Sequence, residues 1–258
     1  MPFSQYWRLV DVMARMSLRA DATKFVLGYI WWILEPLLYV GVLYVVFTII
    51  LTNRQPDFLM FLMTGKLAFI WFSKTITQSG SSIVNGKGLV GKINVPMSLF
   101  PMTTVQECMY RQIAVFAFLI TTLIFNGYAP GITWVYVLPI LAVNYIMIVA
   151  LSMYAAIIVT VVRDFNPLIS LGMIFMMFTS GIFWDVRSLG DPAKTELLLN
   201  VNPLAFVLDA YRQVLMYNTP PDMFHLLSIG AGFGALLCLA VLLMRRSGQF
   251  LALKALTI

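Results

Sequence analysis

The run Gly86-Lys87-Gly88-Leu89-Val90-Gly91-Lys92-Ile93 nearly spells a loop that cradles nucleotide phosphates, G-x-x-x-x-G-K-[ST]. Such a loop needs a Ser or Thr hydroxyl at its last position for Mg²⁺ and a preceding strand to hold it. Ile93 stands where the hydroxyl should be, and only Ile83-Val84 precedes as an apolar stub. No ATP hydrolysis is therefore expected from this chain itself. The other reactive residues are sparse. Cys108 and Cys238 have no metal-ligand neighbour at useful spacing and read as packing residues. His225 is the only histidine, too few for a metal site or a Ser-His-Asp triad. Catalytic residues, metal ligands and a cofactor are all expected to be absent from this chain.

Chemistry remains possible at charges set inside apolar runs, because an ionisable group within a membrane span is costly and rarely accidental. Glu35 lies about one turn into the first such run, and Lys74 sits at a matching depth in the second, so the two are placed to pair. Lys66 is nearer the middle, without an obvious acidic partner.

The elements that must position these groups follow from composition. Of 258 residues, 60% are hydrophobic and 11% charged, against roughly 25% charged in soluble domains. The apolar residues fall in runs long enough to cross a bilayer, about 20 residues each. An all-α fold with six spans is predicted: Ile30–Leu51, Phe58–Thr77, Arg111–Phe125 (slightly short, and so expected to begin earlier), a span within Trp134–Val162, another within Pro167–Trp184, and His225–Met244. Polar segments 78–102 and 185–222 interrupt them. No internal repeat or low-complexity linker divides the chain, so residues 1–258 read as one domain.

Lysine and arginine set the orientation, since short basic loops resist translocation. With the N-terminus inside, the inner segments hold twelve of them, from Arg8 to Lys254, and the outer segments only Arg54, Arg187, Lys194 and Arg212. Both ends are therefore expected in the cytoplasm. Residues 1–29 lack the apolar core of a cleavable signal. Arg8, Asp11, Arg15 and Arg19 recur at helical spacing, opposite Phe3, Tyr6, Val10, Met13 and Ala14, with Trp7 at the border. That pattern predicts an amphipathic helix in the headgroup plane.

Four motifs in register resemble the type 2 ABC exporter permeases that carry polysaccharides. They are Leu27-Gly28-Tyr29-Ile30-Trp31-Trp32-Ile33-Leu34-Glu35-Pro36, Gly88 to Pro96 followed by Leu99-Phe100-Pro101, Arg163-Asp164, and Asn202-Pro203-Leu204-Ala205-Phe206-Val207-Leu208-Asp209-Ala210-Tyr211-Arg212. Met97 departs from the family, which often has a basic residue after the inner-loop proline. The resemblance implies a homodimer in the inner membrane, working with two copies of a separate subunit that binds ATP and Mg²⁺, and exporting O-antigen, capsule or a similar lipid-linked glycan.

Under that reading, segment 78–102 is the coupling loop, with Leu89, Val90, Lys92 and Pro96 facing the ATPase. Segment 185–222 forms short re-entrant helices that gate the outer mouth, where Asp209 and Arg212 are spaced to pair on one helix. Arg15, Arg19 and Lys24 are the basic groups closest to the first span and so candidates for the phosphate of the lipid carrier. A polymer must slide past sites that hold it weakly, and aromatic rings offer flat faces to sugar C–H groups. Trp32 and Tyr39 on the first span, with Phe175 and Phe178 on the fifth, are the candidate path. An ABC permease for a small hydrophobic drug or lipid is the alternative within transport. An intramembrane polyprenyl-lipid transferase would need clustered Asp, Glu or His at one depth, and the sequence has no such cluster.

Overall fold

The computed structural model describes residues 2–24, 26–50, 57–90 and 95–257. The chain is built from helices: α1 (Phe3–Ala22), α2 (Trp31–Tyr44), α3 (Phe58–Gly80), α4 (Ser82–Asn85), α5 (Lys87–Val90), α6 (Leu99–Phe125), α7 (Val137–Val161), α8 (Phe165–Thr179), α9 (Pro192–Val201), α10 (Pro203–Leu215), α11 (Met223–Arg246) and α12 (Gly248–Thr257). A 3₁₀ turn, Gly28–Ile30, leads into α2, which continues as a π-helical turn, Val45–Ile50. Among the described residues, five helices are long and apolar enough to cross a membrane: Gly28–Phe47, Phe58–Gly80, Leu99–Phe125, Ile132–Val161 and Met223–Arg246.

The third of these starts at Leu99, twelve residues before Arg111, and absorbs the C-terminal end of the inner segment. The expected fifth span is the main difference. Its helix, α8, has 15 residues and stops at Thr179, about 22 Å at ~1.5 Å per residue against a ~30 Å hydrocarbon core. It stops because Gly181 takes φ +69°, where a Cβ would strike Val186. The predicted continuation to Trp184 is instead a turn.

Helix α3 is the hub. It packs on α2, α6, α7, α8 and α10, and 78% of its most apolar stretch is buried. The flanking helices are bare by comparison: α2 buries only Pro36 and Val40, and α8 buries no residue. Helix α10 is buried along nearly its whole length, Leu204 to Leu215. Asn202 nucleates it by accepting from the N–H groups of Leu204 and Ala205, with Pro203 at the first turn. Asp191 and Asp222 cap α9 and α11 in the same way. The segment 185–222 thus contains short helices as expected, and α10 is a core element, not a solvated cap.

Helix α1 forms where its periodicity predicts, but its buried stripe, turned toward α6, is Val10, Ala14, Leu18 and Ala22; of the expected apolar face Tyr6 and Met13 are half-buried and Phe3 is exposed. Helix α12 lies beyond the last predicted span. It packs on α5, α4 and α7.

Candidate functional site

The two aromatic sets are exposed but unequal. Tyr39 is 57% exposed, Phe175 66% and Phe178 57%, so these rings project from the bare faces of α2 and α8. Trp32 does not join them. Its ring meets Tyr29 edge-on at 4.8 Å and takes the Arg111 guanidinium at 5.4 Å. It lines a small cavity between α2, α3 and α6 together with Glu35, Lys74 and Arg111. Trp32 and Tyr39 share a helix face by spacing, but only the end of α2 that holds Trp32 is covered by α6. The segments that follow the two aromatic helices meet, where Phe47 stacks on Phe183 (5.2 Å, 8° between planes) and Phe183 lies 5.4 Å from Phe178.

The buried charges divide by partner. Glu35 and Lys74 pair as their depths predict, with Lys74 Nζ donating to both carboxylate oxygens at 2.8 and 3.0 Å. Lys66 is 7% exposed. Its Nζ lies 2.9 Å from Met177 Sδ on α8 and 5.4 Å from the Phe69 ring, and no carboxylate bridges it among the described residues. A thioether is a weak acceptor.

The expected Asp209–Arg212 pair is not formed. Arg187, in the 3₁₀ turn Val186–Ser188, reaches Asp209 through Nε and Nη2 at 2.8 to 3.2 Å. Gln213 donates to the same carboxylate at 2.6 Å. Asp209 holds the Arg187 guanidinium more firmly protonated than its ordinary state. Arg212 turns away from Asp209 because backbone carbonyls surround it. It donates to Gly181 (2.7 Å), Ile182 (3.2 Å) and Phe61 (3.4 Å), with its guanidinium carbon 3.5 Å from the centre of the Phe61 ring. One side chain thus ties α10 to α3 and to the turn after α8. The sequence placed Arg212 at a motif end but carried no signal of these carbonyl partners, since they come from distant turns.

On α1, Arg15 Nε donates to Asp11 at 3.0 Å, and Tyr110 of α6 donates to the same carboxylate. Tyr110, with Arg15 beside it, holds the Asp11 carboxyl below the usual range. Lys24 pairs with Asp21 at 2.7 Å, and Asp21 also takes Arg111 at 2.5 Å. Arg19 is exposed and makes no ion pair with a described residue. Of the three expected phosphate ligands, it alone is uncommitted.

In the inner segment, Lys87 and Gly88 are exposed, while Leu89 and Val90 are half-buried against the core. Pro96 is exposed at the rim of a cavity under α1. Lys92 lies outside the described residues. Among those residues no group of three His, Cys, Asp or Glu gathers to hold a metal ion.

Residues 12–216 match the ABC-2 type transporter family. The chain belongs to that family. Its relatives include an O-antigen export system permease protein RfbA of Klebsiella pneumoniae, 24% identical over 82% of this chain and 81% of the relative. A protein of the same name from Myxococcus xanthus is 24% identical over 88% and 87%. The polysialic acid transport protein KpsM of Escherichia coli is 34% identical over a shorter stretch, 31% of this chain and 32% of its own.

Proposed function

We propose that this chain is the permease subunit of an ABC exporter that moves a lipid-linked polysaccharide, O-antigen, capsule or a related glycan, across the inner membrane. The observation that carries this reading is the similarity to O-antigen export permeases along more than four fifths of both chains. Two copies form the conduit, meeting over the bare faces of α2 and α8. There Tyr39, Phe175 and Phe178 offer weak, sliding contacts to sugar rings. The chain crosses six times with both ends inside. Helix α8 is the short fifth crossing, completed on the outer side by the turn 180–184 and the buried α10, as re-entrant backbone requires protein around it.

A separate subunit binds ATP and Mg²⁺ and docks on the inner loop, through the exposed Lys87 and Gly88 and the half-exposed Leu89 and Val90. The permease itself catalyses no bond change. Deleting its gene should trap lipid-linked polymer inside the cell, protected from a glycosidase added outside. Restoration by the wild-type chain and not by Gly88→Trp, whose side chain would project into open space, is the expected result. Full export by Gly88→Trp would remove the loop from the docking surface; normal export in the deletion strain would overturn the function.

A further inference from the structure

A second apolar space lies away from the aromatic faces. It has a volume of about 660 Å³ and opens between α1, the start of α6, α7 and α11. Its floor is hydrocarbon: Met102 and Val149 are buried, and Val241 is half-buried. Its roof is α1, with Tyr6 and Trp7 over the opening, and the Tyr6 hydroxyl donates to Ser98 Oγ at 3.2 Å. Its one charged wall residue is Arg245, in the last turn of α11. Arg245 is exposed and makes no ion pair with a described residue.

A space this large is not left empty beside lipid. Apolar cavities exclude water and take up apolar guests, and tryptophan and tyrosine settle at headgroup depth. Along α11 the lining runs from Leu237 to Arg245, about 12 Å at ~1.5 Å per residue, within the roughly 15 Å of one leaflet's hydrocarbon. At the mouth, a guanidinium without a carboxylate matches two oxygens of a phosphate. A single positive charge with no carboxylate in the lining suits a headgroup of net charge −1 and offers nothing to the ammonium of a zwitterionic one.

We infer that this cleft binds one anionic phospholipid of the inner leaflet, with an acyl chain along the groove that α7 and α11 line beneath Trp7 and the phosphate on Arg245. It rests on the proposed orientation only for the choice of leaflet. Such a lipid pins α1 against the bundle independently of the transported molecule, since α11 packs chiefly on α7 while the aromatic rings stand on α2 and α8.

The test is lipid counting by native mass spectrometry on the purified permease–ATPase complex, stripped of lipid and titrated with equal amounts of phosphatidylglycerol and phosphatidylethanolamine. One phosphatidylglycerol should remain per permease chain. Arg245→Gln should weaken it about tenfold, the size of one charge-assisted contact, and erase the preference over phosphatidylethanolamine. Arg246→Gln, next in sequence but outside the cleft, should leave both unchanged. Val241→Trp should exclude both lipids by filling the space, and Leu237→Phe serves the same end if that variant does not fold. Retention of phosphatidylglycerol by the filled variants, equal losses at Arg245 and Arg246, or a polyprenyl phosphate retained in its place would overturn the inference. Export is measured separately, so a failure of the proposed function leaves the lipid result standing, and the reverse.

Discussion

A methyl group on Gly65 would collide with the guanidinium of Arg212. Glycine within a helix costs about 1 kcal/mol relative to alanine, so Gly65→Ala should stabilise α3 if there were room. Overpacking costs about 1–3 kcal/mol, and here it also pushes a buried cation off the carbonyls of Phe61, Gly181 and Ile182. The second effect wins. Gly65→Ala should lower the unfolding temperature of the detergent-purified protein. In an Arg212→Ala background the same change should cost nothing or help, because the obstructing group is gone. Additive losses in the double variant, read against the singles, would show that the two residues are not coupled.

The Glu35–Lys74 pair joins α2 to α3, and each side chain is about one third exposed (34% and 35%). In water such a pair contributes ~0.2–1 kcal/mol. Inside a bilayer the larger quantity is the cost of the charge left behind, which is below the roughly 2.5–3.5 kcal/mol of a span's centre because the pair lies about one turn from the span's end. Glu35→Gln or Lys74→Met alone should therefore reduce membrane abundance severalfold. Glu35→Gln combined with Lys74→Met should recover most of it, and the charge swap Glu35→Lys with Lys74→Glu should recover it too. Quantitative immunoblots of membrane fractions read the outcome, and a double variant worse than either single one would discard the pair.

Local patterns that depend on neighbours in sequence were legible. The long apolar runs, the existence of helix α1 and the presence of short helices in 185–222 all follow from periodicity and apolar stretches, although only Val10 and Ala14 of the apolar face expected for α1 are buried. Glu35 and Lys74 were legible because span depth can be counted along a helix. What failed depends on tertiary choice. Asp209 and Arg212 are spaced to pair, yet Arg187 takes the carboxylate and three distant carbonyls take Arg212. Trp32 and Tyr39 share a face by period, but α6 covers one and not the other. Helix α12 follows α11 with only Ser247 between; Ser247-Gly248 marks the break, but the ten residues beyond it are too few for a helical period to stand out.

The same asymmetry separates the aromatic candidates. Tyr39, Phe175 and Phe178 are more than half exposed, so replacing each with alanine leaves no cavity and should shift the unfolding temperature little. If they line the conduit, each change should slow export of long polymer severalfold while short polymer is less affected. Trp32→Ala removes a half-buried ring packed on Tyr29 and Arg111 and should lower stability, by less than the about 3–5 kcal/mol of a fully buried ring, with export lost through abundance. Pulse-chase export assays paired with thermal unfolding separate the two classes. Unchanged export in all three exposed variants would assign those rings to lipid.

The last expectation concerns the phosphate of the lipid carrier. Arg15 and Lys24 already face carboxylates, Asp11 at 3.0 Å and Asp21 at 2.7 Å. Replacing either frees an acid that also anchors α1 to α6, through Tyr110 on Asp11 and Arg111 on Asp21, so a loss of function there reports docking of the helix as much as binding. Arg19 has no such partner and stands on the exposed face. Arg19→Gln should therefore leave abundance and basal ATP hydrolysis of the permease–ATPase complex unchanged. Stimulation of that hydrolysis by lipid-linked glycan should require about tenfold more substrate, as expected for one charge-assisted contact. Arg19→Lys should restore only part of it, since an ammonium lacks the fork that meets two phosphate oxygens. Equal loss of basal and stimulated rates, or no change in either, would leave Arg19 as a topology signal and nothing more.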